Sequence, residues 1–217
     1  MNTLKKEFEI SAPKYQNQLF GYENYFKSFV TLFNKGKLPN VILLSGQKGI
    51  GKSTFAYHFI NYLLSLNETN NYSLDAFRIN PANKSFINIC NNTHPNFISL
   101  DSESPLKNIK IDNVRNIIKF LTKSTYSTDF KIVLIDNVEN LNIYSSNSLL
   151  KSLEESGNKT FFFIIHDSSH KISYTIKSRS LDFKIFFNPS QKEKILYKLL
   201  LQYEVSLSPD KYNQFLY

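Results

Sequence analysis

The 217 residues are 41% hydrophobic and 20% charged, the balance of a chain that buries an ordinary core, so disorder is excluded as the default. The longest uninterrupted apolar stretches, such as Phe161 to Ile165, fall far short of the about 18 residues that a membrane span needs. Met1 to Ile10 alternates charged and apolar residues without a secretory core, one cysteine, Cys90, excludes an internal disulfide, and a cytoplasmic protein is expected.

The net charge of +8 comes from scattered lysines, which permits contact with nucleic acid without specifying it.

In chain order, Tyr22 to Phe33 is predicted as a helix, with Tyr22, Tyr25, Phe26, Phe29, Val30 and Phe33 on one face and Gly36 as its stop. Val41-Ile42-Leu43-Leu44 reads as a buried strand. Gly46-Gln47-Lys48-Gly49-Ile50-Gly51-Lys52-Ser53 then matches G-x-x-x-x-G-K-[ST] in full, and three of the chain's 6 glycines lie within it. Glycines let the backbone N–H groups of such a loop point inward, and the helix predicted from Thr54 to Leu66 adds the partial positive charge of its N-terminus. A polyphosphate is the expected ligand, contacted by Gly46 through Thr54, with Lys52 reaching the β- and γ-phosphates and Ser53 ligating Mg²⁺. The motif does not separate ATP from GTP.

Asn67 to Asn92 is rich in Asn, Ser and Thr and contains Pro81, so it reads as a weakly ordered connection with one short element. Asn96 to Asp101 is predicted as a strand and Ile109 to Ile111 as a short one. Asp112 should cap a helix to Lys123 with Val114, Ile117, Ile118 and Leu121 inward. Lys131 to Asp136 has four aliphatic residues ending in an aspartate, as a central parallel strand requires when it carries a metal-facing carboxylate at its C-terminal edge. Asp136 is therefore the second expected Mg²⁺ ligand.

Asn142 to Glu155 reads as a helix burying Leu149, Leu150 and Leu153, Thr160 to His166 as an apolar strand, Lys184 to Phe187 as the last strand, and Gln191 to Tyr203 as a helix opening a separate piece. Serial β–α units with continuously apolar strands argue for a parallel sheet covered on both faces. Cys90 with His94, and His166 with His170, are the candidate metal pairs. They lie far apart and neither spacing fits a zinc-finger half, so no zinc is expected.

The order Lys131 to Asp136, then Asn147-Ser148-Leu149-Leu150-Lys151-Ser152-Leu153-Glu154-Glu155, then Ser178-Arg179-Ser180 resembles the AAA+ clamp-loader subunits of bacterial DNA polymerase III, the delta-prime type most of all. Ile111-Asp112-Asn113-Val114-Arg115 and His94-Pro95-Asn96-Phe97 add to the resemblance, which runs roughly from residue 17 to residue 190.

The resemblance implies an α/β, P-loop NTPase (AAA+) three-layer fold with a mostly parallel sheet over residues 1–188, followed by a truncated helical lid at 189–217. It implies ATP and Mg²⁺ as cofactors and Arg179 as an arginine finger serving a neighbouring subunit's site. The implied partners are gamma/tau- and delta-type subunits, with the sliding clamp and primed DNA met through the assembly. Asn137 stands where hydrolysing relatives carry a glutamate, so slow turnover is expected, with Glu139 as a possible substitute. Only Cys90 stands where many relatives carry a four-cysteine zinc module. His166 or Asp167 occupies the place of a polar sensor, and the chain reads as a short form lacking the collar domain. A stand-alone P-loop ATPase or kinase, and a degenerate copy that only binds partners, remain alternatives.

Overall fold

The computed structural model describes residues 10–100, 111–123, 125, 130–155, 157 and 159–205. Five strands, β1 (Val41–Gly46), β2 (Phe97–Leu100), β3 (Lys131–Ile135), β4 (Thr160–Asp167) and β5 (Leu181–Lys184), form one sheet in the order β2-β3-β4-β1-β5. Every ladder is parallel. Every residue of β1, β3 and β4 is buried, as expected of parallel strands covered on both faces.

The period of two along these strands divides the core. Ile42, Leu44, Ile132, Leu134, Phe161, Phe163 and Ile165 face a cluster shared with α1 (Glu23–Asn34), α2 (Lys52–Leu64) and α3 (Lys84–Cys90). Val41, Leu43, Val133, Ile135, Phe162 and Ile164 face the other, shared with α4 (Ile111–Thr122), α5 (Ile143–Glu155) and α6 (Tyr174–Ser178). The result is a three-layer α/β sandwich. α2 is wrapped on all sides, with every residue from Phe55 to Leu64 buried, and α7 (Pro189–Gln202) follows the sheet.

This arrangement decides where a ligand fits. The chain leaves β1 toward the α1–α3 face and leaves the adjacent β4 toward the α4–α6 face, so a crevice opens between their C-terminal ends. A crevice of that kind is where open parallel sheets bind ligands.

Several expectations are corrected. The edge strand is Leu181–Lys184, paired with Ile42 to Ser45, not Lys184 to Phe187. Ile185 and Phe187 are buried, and their apolar signal reflects packing beyond the ladder. α4 starts at Ile111, so Asp112 lies in its first turn rather than capping it, which also removes Ile111 from the predicted short strand; residues 109 and 110 lie outside the described residues. In α4 Val114 and Ile117 are buried, but Ile118 is exposed. In α5 Leu149 and Leu153 are buried while Leu150 is only partly so.

The segment from Asn67 to Asn92 is packed rather than weakly ordered. Tyr72, Ile79 and Ile89 are core residues, Asn83 caps α3 by accepting from Phe86 N at 2.7 Å, and the Glu68 carboxylate accepts from Lys84 N and Ser85 N at 2.9 and 3.0 Å. Polar composition here supplies caps, not disorder.

The residues drawn as metal pairs from sequence have other hydrogen-bond partners. Cys90 Sγ donates to Lys14 O at 3.4 Å, whereas His94 accepts from Asn96 N at Nδ1 and meets Ser85 Oγ at Nε2, each at 3.2 Å. The His-Pro-Asn-Phe stretch is thus a turn leading into β2, with His94, Asn96 and Phe97 buried and Pro95 exposed. Among the described residues no helix is long and apolar enough to cross a membrane.

Candidate functional site

The glycine loop sits at the mouth of the β1–β4 crevice. Gly49 and Gly51 hold φ of +80° and +90°, a region that side-chain-bearing residues seldom enter. A Cβ on Gly46 would lie 2.5 Å from Ile185 O, because Ile185 N donates to Ser45 O at 2.7 Å and draws that backbone close. Tyr22 braces the loop from beneath, with its hydroxyl donating to Ile50 O at 2.9 Å and its ring stacked on Phe55 of α2.

Lys52, almost fully buried, folds back over the loop and donates from Nζ to Gly46 O at 2.8 Å and Gln47 O at 2.5 Å. Burial pushes its pKa down, opposed by Asp167, Asp136 and Glu139. Ser53 Oγ donates to Asp136 Oδ2 at 2.7 Å, so two groups 83 positions apart in sequence meet beside the loop. Thr54 lines the same cleft.

Asp136 Oδ1 accepts from Asn137 N at 2.9 Å. Asn137 adopts φ +55°, ψ +54°, a left-handed conformation that asparagine tolerates better than most residues. The short 3₁₀ turn Val138–Asn140 follows, and it turns the Glu139 carboxylate toward β4, where it accepts from Asp167 N at 3.3 Å.

Strand register sets Asp167 opposite Gly46. Burial pushes the Asp167 carboxyl up, but Ser169 and His170 outweigh it and hold it below the ordinary carboxylate value. His166 is also buried, with Nε2 3.1 Å from His170 O, so the two histidines meet through a backbone carbonyl and not as paired rings. Among the described residues, Glu139, Asp167 and His170 bring their ligand atoms within 4.8 Å of one another.

The remaining wall of the cleft, whose volume is about 680 Å³, comes from the N-terminal stretch Ile10 to Phe20 and from Lys192, Ile195, Leu196 and Leu199 of α7. Lys192 Nζ donates to Gln47 Oε1 at 3.3 Å and Tyr203 OH to Gln16 Oε1 at 2.9 Å. A nucleotide fits this donor set: backbone N–H groups on a glycine cradle, a helix N-terminus and an ammonium for anionic oxygens, a hydroxyl and a carboxylate for a divalent cation, and apolar walls for a base.

Arg179 lies elsewhere. It ends α6, does not line the cleft, and keeps 37% of its side chain exposed. Nε donates to Glu154 Oε1 at 2.5 Å, Nη2 pairs with the same oxygen, and Nη1 donates to Thr175 O at 3.0 Å. Sequence reasoning placed Arg179 and the Leu-Leu-Lys-Ser-Leu-Glu-Glu block separately. The fold brings them together.

Sequence reasoning assigned Tyr22 only to a core face and gave no role to the N-terminal stretch or Lys192. No sequence signal marked the contact of Tyr22 with the loop, and the contacts across the cleft leave no periodic trace in the sequence.

A family model described as DNA polymerase III, delta subunit, matches residues 21–188. The chain is 32% identical over 183 residues to the DNA polymerase III subunit gamma of Buchnera aphidicola (subsp. Schizaphis graminum), covering 82% of this chain and 48% of that protein. It is 32% identical over 155 residues to the DNA polymerase III subunit delta' of Pseudomonas aeruginosa, covering 68% of this chain and 43% of that protein. Among solved structures, the Thermotoga maritima RuvB Holliday junction branch migration motor superposes with a TM-score of 0.52 at 15% identity, over 91% of this chain and 57% of that one, which shows the fold alone. The chain spans about half the length of the curated relatives it matches. With the matched span holding the glycine loop, the Ser53–Asp136 pair and Arg179, the chain belongs to the DNA polymerase III delta subunit family, within the AAA+ clamp loaders.

Proposed function

We propose that this chain is a delta-prime-like clamp-loader subunit of a DNA polymerase III assembly in the cytoplasm. On this reading it seats Mg·ATP in its own cleft, lends Arg179 to the nucleotide site of an adjoining subunit, and acts with gamma/tau- and delta-type subunits to place a sliding clamp on primed DNA. The observation that carries the reading is the meeting of Ser53 with Asp136 at 2.7 Å beside a glycine-lined loop.

The roles follow from the groups present. The loop N–H groups of 47–53 and the start of α2 hold the phosphates, and Lys52, already anchored on the loop, offsets their charge. Ser53 and Asp136 would hold Mg²⁺, which when bound supplies charge neutralisation between the phosphates. α7 acts as a lid, because its Ile195, Leu196 and Leu199 line the cleft; residues 206–217 of the expected lid segment lie outside the described residues.

Asn137 has no basic group for a water proton, and loss of a general base typically lowers turnover by about 10² to 10⁴. The site is therefore a binding switch more than an engine, and the arginine is the chain's contribution to a neighbour's chemistry. A guanidinium against a transferring phosphoryl group is worth roughly 10³ to 10⁵ in rate in other enzymes.

Calorimetry of the full chain with Mg·ATP tests the cradle. Saturable heat is expected and is lost in Lys52→Ala, whereas silence at millimolar ATP overturns the reading and heat with Mg·GTP alone changes the nucleotide. Steady-state hydrolysis by a reconstituted loader on primed DNA tests the finger, with a fall of at least about a hundredfold at the adjoining site expected in Arg179→Ala. Asn137→Glu is expected to raise hydrolysis at the chain's own site, and an unchanged rate refutes the assignment of slow turnover to that position.

A further inference from the structure

We infer that Glu154 is a positioning residue for Arg179, one that orients the guanidinium so that two of its N–H groups are kept for an anion brought by another molecule. The inference rests on the proposed trans role of Arg179 and adds a residue that the role requires.

The donor count carries it. A guanidinium has five N–H donors in one plane, distributed over Nε and the two Nη atoms. In this chain Nε and Nη2 are turned onto the single oxygen Glu154 Oε1, and Nη1 donates to Thr175 O at 3.0 Å. What is left is one N–H on Nη1 and one on Nη2, with no acceptor among the described residues. Two donors on adjacent nitrogens of one rigid plane match two oxygens of a phosphoryl group.

Orientation is fixed from two elements at once. Glu154 is in the last turn of α5 and Thr175 in the first turn of α6, while Arg179 caps the end of α6. α5 and α6 are tied to the sheet by Leu149, Leu153 and Ile176, all buried in the same cluster. The carboxylate and the carbonyl therefore hold the planar head from two sides on a rigid base, and the long side chain gives up the rotamer freedom that an unanchored arginine would lose only on reaching its target.

A carboxylate beside a phosphate-binding arginine also carries an electrostatic cost, since it offsets part of the positive charge. Orientation outweighs charge if the neighbour's reaction depends on where the guanidinium points, for which a misplacement of about 1 Å costs on the order of 10²-fold. The two contributions are separable by substitution. Glutamine keeps an acceptor oxygen at the same reach and drops the charge, whereas alanine removes both.

The experiment uses the full chain reconstituted with an ATP-hydrolysing gamma-type subunit, clamp and primed DNA, and reads kcat and KM for ATP. Glu154→Ala is expected to lower kcat about tenfold with KM unchanged, and Glu154→Gln to recover most of that loss, at an unchanged melting temperature of the isolated chain. In Glu154→Ala/Arg179→Ala the second change adds nothing to the loss from Arg179→Ala alone. If Arg179→Ala has no effect, the trans reading fails. If Arg179→Ala lowers kcat but Glu154→Ala does not, or raises it, the positioning role is overturned and Glu154 is a restraint. A Glu154→Gln variant as poor as Glu154→Ala overturns it as well, because charge and not orientation is then what matters.

Discussion

The two faces of the sheet are built from different side chains. On the α1–α3 side, Phe26, Phe29, Phe55, Phe59, Tyr62 and Tyr72 interlock edge-to-face and stacked with ring centroids 4.9 to 6.4 Å apart. On the α4–α6 side, Val114, Ile117, Leu149, Leu153 and Ile176 meet Val133, Ile135 and Ile164. The aromatic side carries the glycine loop, since α2 is both the loop's helix and the centre of the ring cluster. The aliphatic side carries Arg179 at its rim. A cradle that must hold its backbone N–H groups in place thus stands on large, rigid rings with few rotamers. The exposed guanidinium stands on a smaller cluster and is fixed by polar partners instead.

The widest separation between the two faces is expected in stability. Phe59→Ala should cost about 3 to 5 kcal/mol and Ile117→Val about 1 kcal/mol, measured by urea unfolding. Beyond size, Phe59→Ala should also weaken nucleotide binding while Ile117→Val leaves it unchanged. If both variants lose affinity in proportion to stability, the aromatic face has no special link to the loop.

Acid should attack the α1–α3 side first. Burial pushes the pKa of His58 down to about 3 and that of His94 down to about 4, so both stay neutral in the folded chain. The unfolded chain takes up those protons below its own pKa of 6.5, and stability is therefore present above that pH and falls as pH drops from about 6.5 toward 4. Asp167, with its pKa lowered, acts only in the more acid window below 3.8. Denaturation as a function of pH checks this: His94→Gln should reduce the slope in the upper window by one proton, and an unreduced slope means that another group titrates there.

The smallest expected effect falls on the brace under the loop. Tyr22→Phe removes the donor to Ile50 O and should cost about 1 kcal/mol, with nucleotide affinity falling more than stability alone explains. Equal affinity in the two proteins would assign Tyr22 to the core and not to the cradle.

The elements that carry the candidate ligand-binding groups were the most legible. β1, the glycine loop, β3 with Asp136 and β4 are each defined by contiguous residues, because a doubly covered parallel strand needs an unbroken apolar run and a phosphate cradle needs glycines at fixed spacing. The edge strand was misplaced because the Leu-Asp-Phe-Lys alternation of β5 spans only four residues, none of them buried, and is outweighed by the more apolar Ile185 to Phe187 that follows. The Asn67 to Asn92 stretch was misread because Asn and Ser signal loops and caps alike. Its order depends on Glu68 reaching α3 from 16 residues upstream.

By itself the sequence determined the parallel α/β layering and the loop with its lysine, which are local in the chain and written in spacing and residue type, while Asn137 and Arg179 were singled out only by the resemblance to the clamp-loader family. Only the tertiary structure decided that Ser53 meets Asp136, that Tyr22 supports the loop, that α7 and the N-terminal stretch wall the cleft, and that Glu154 grips Arg179. These are long-range contacts set by strand order and helix packing, and side-chain partners brought together in that way leave no pattern along the chain.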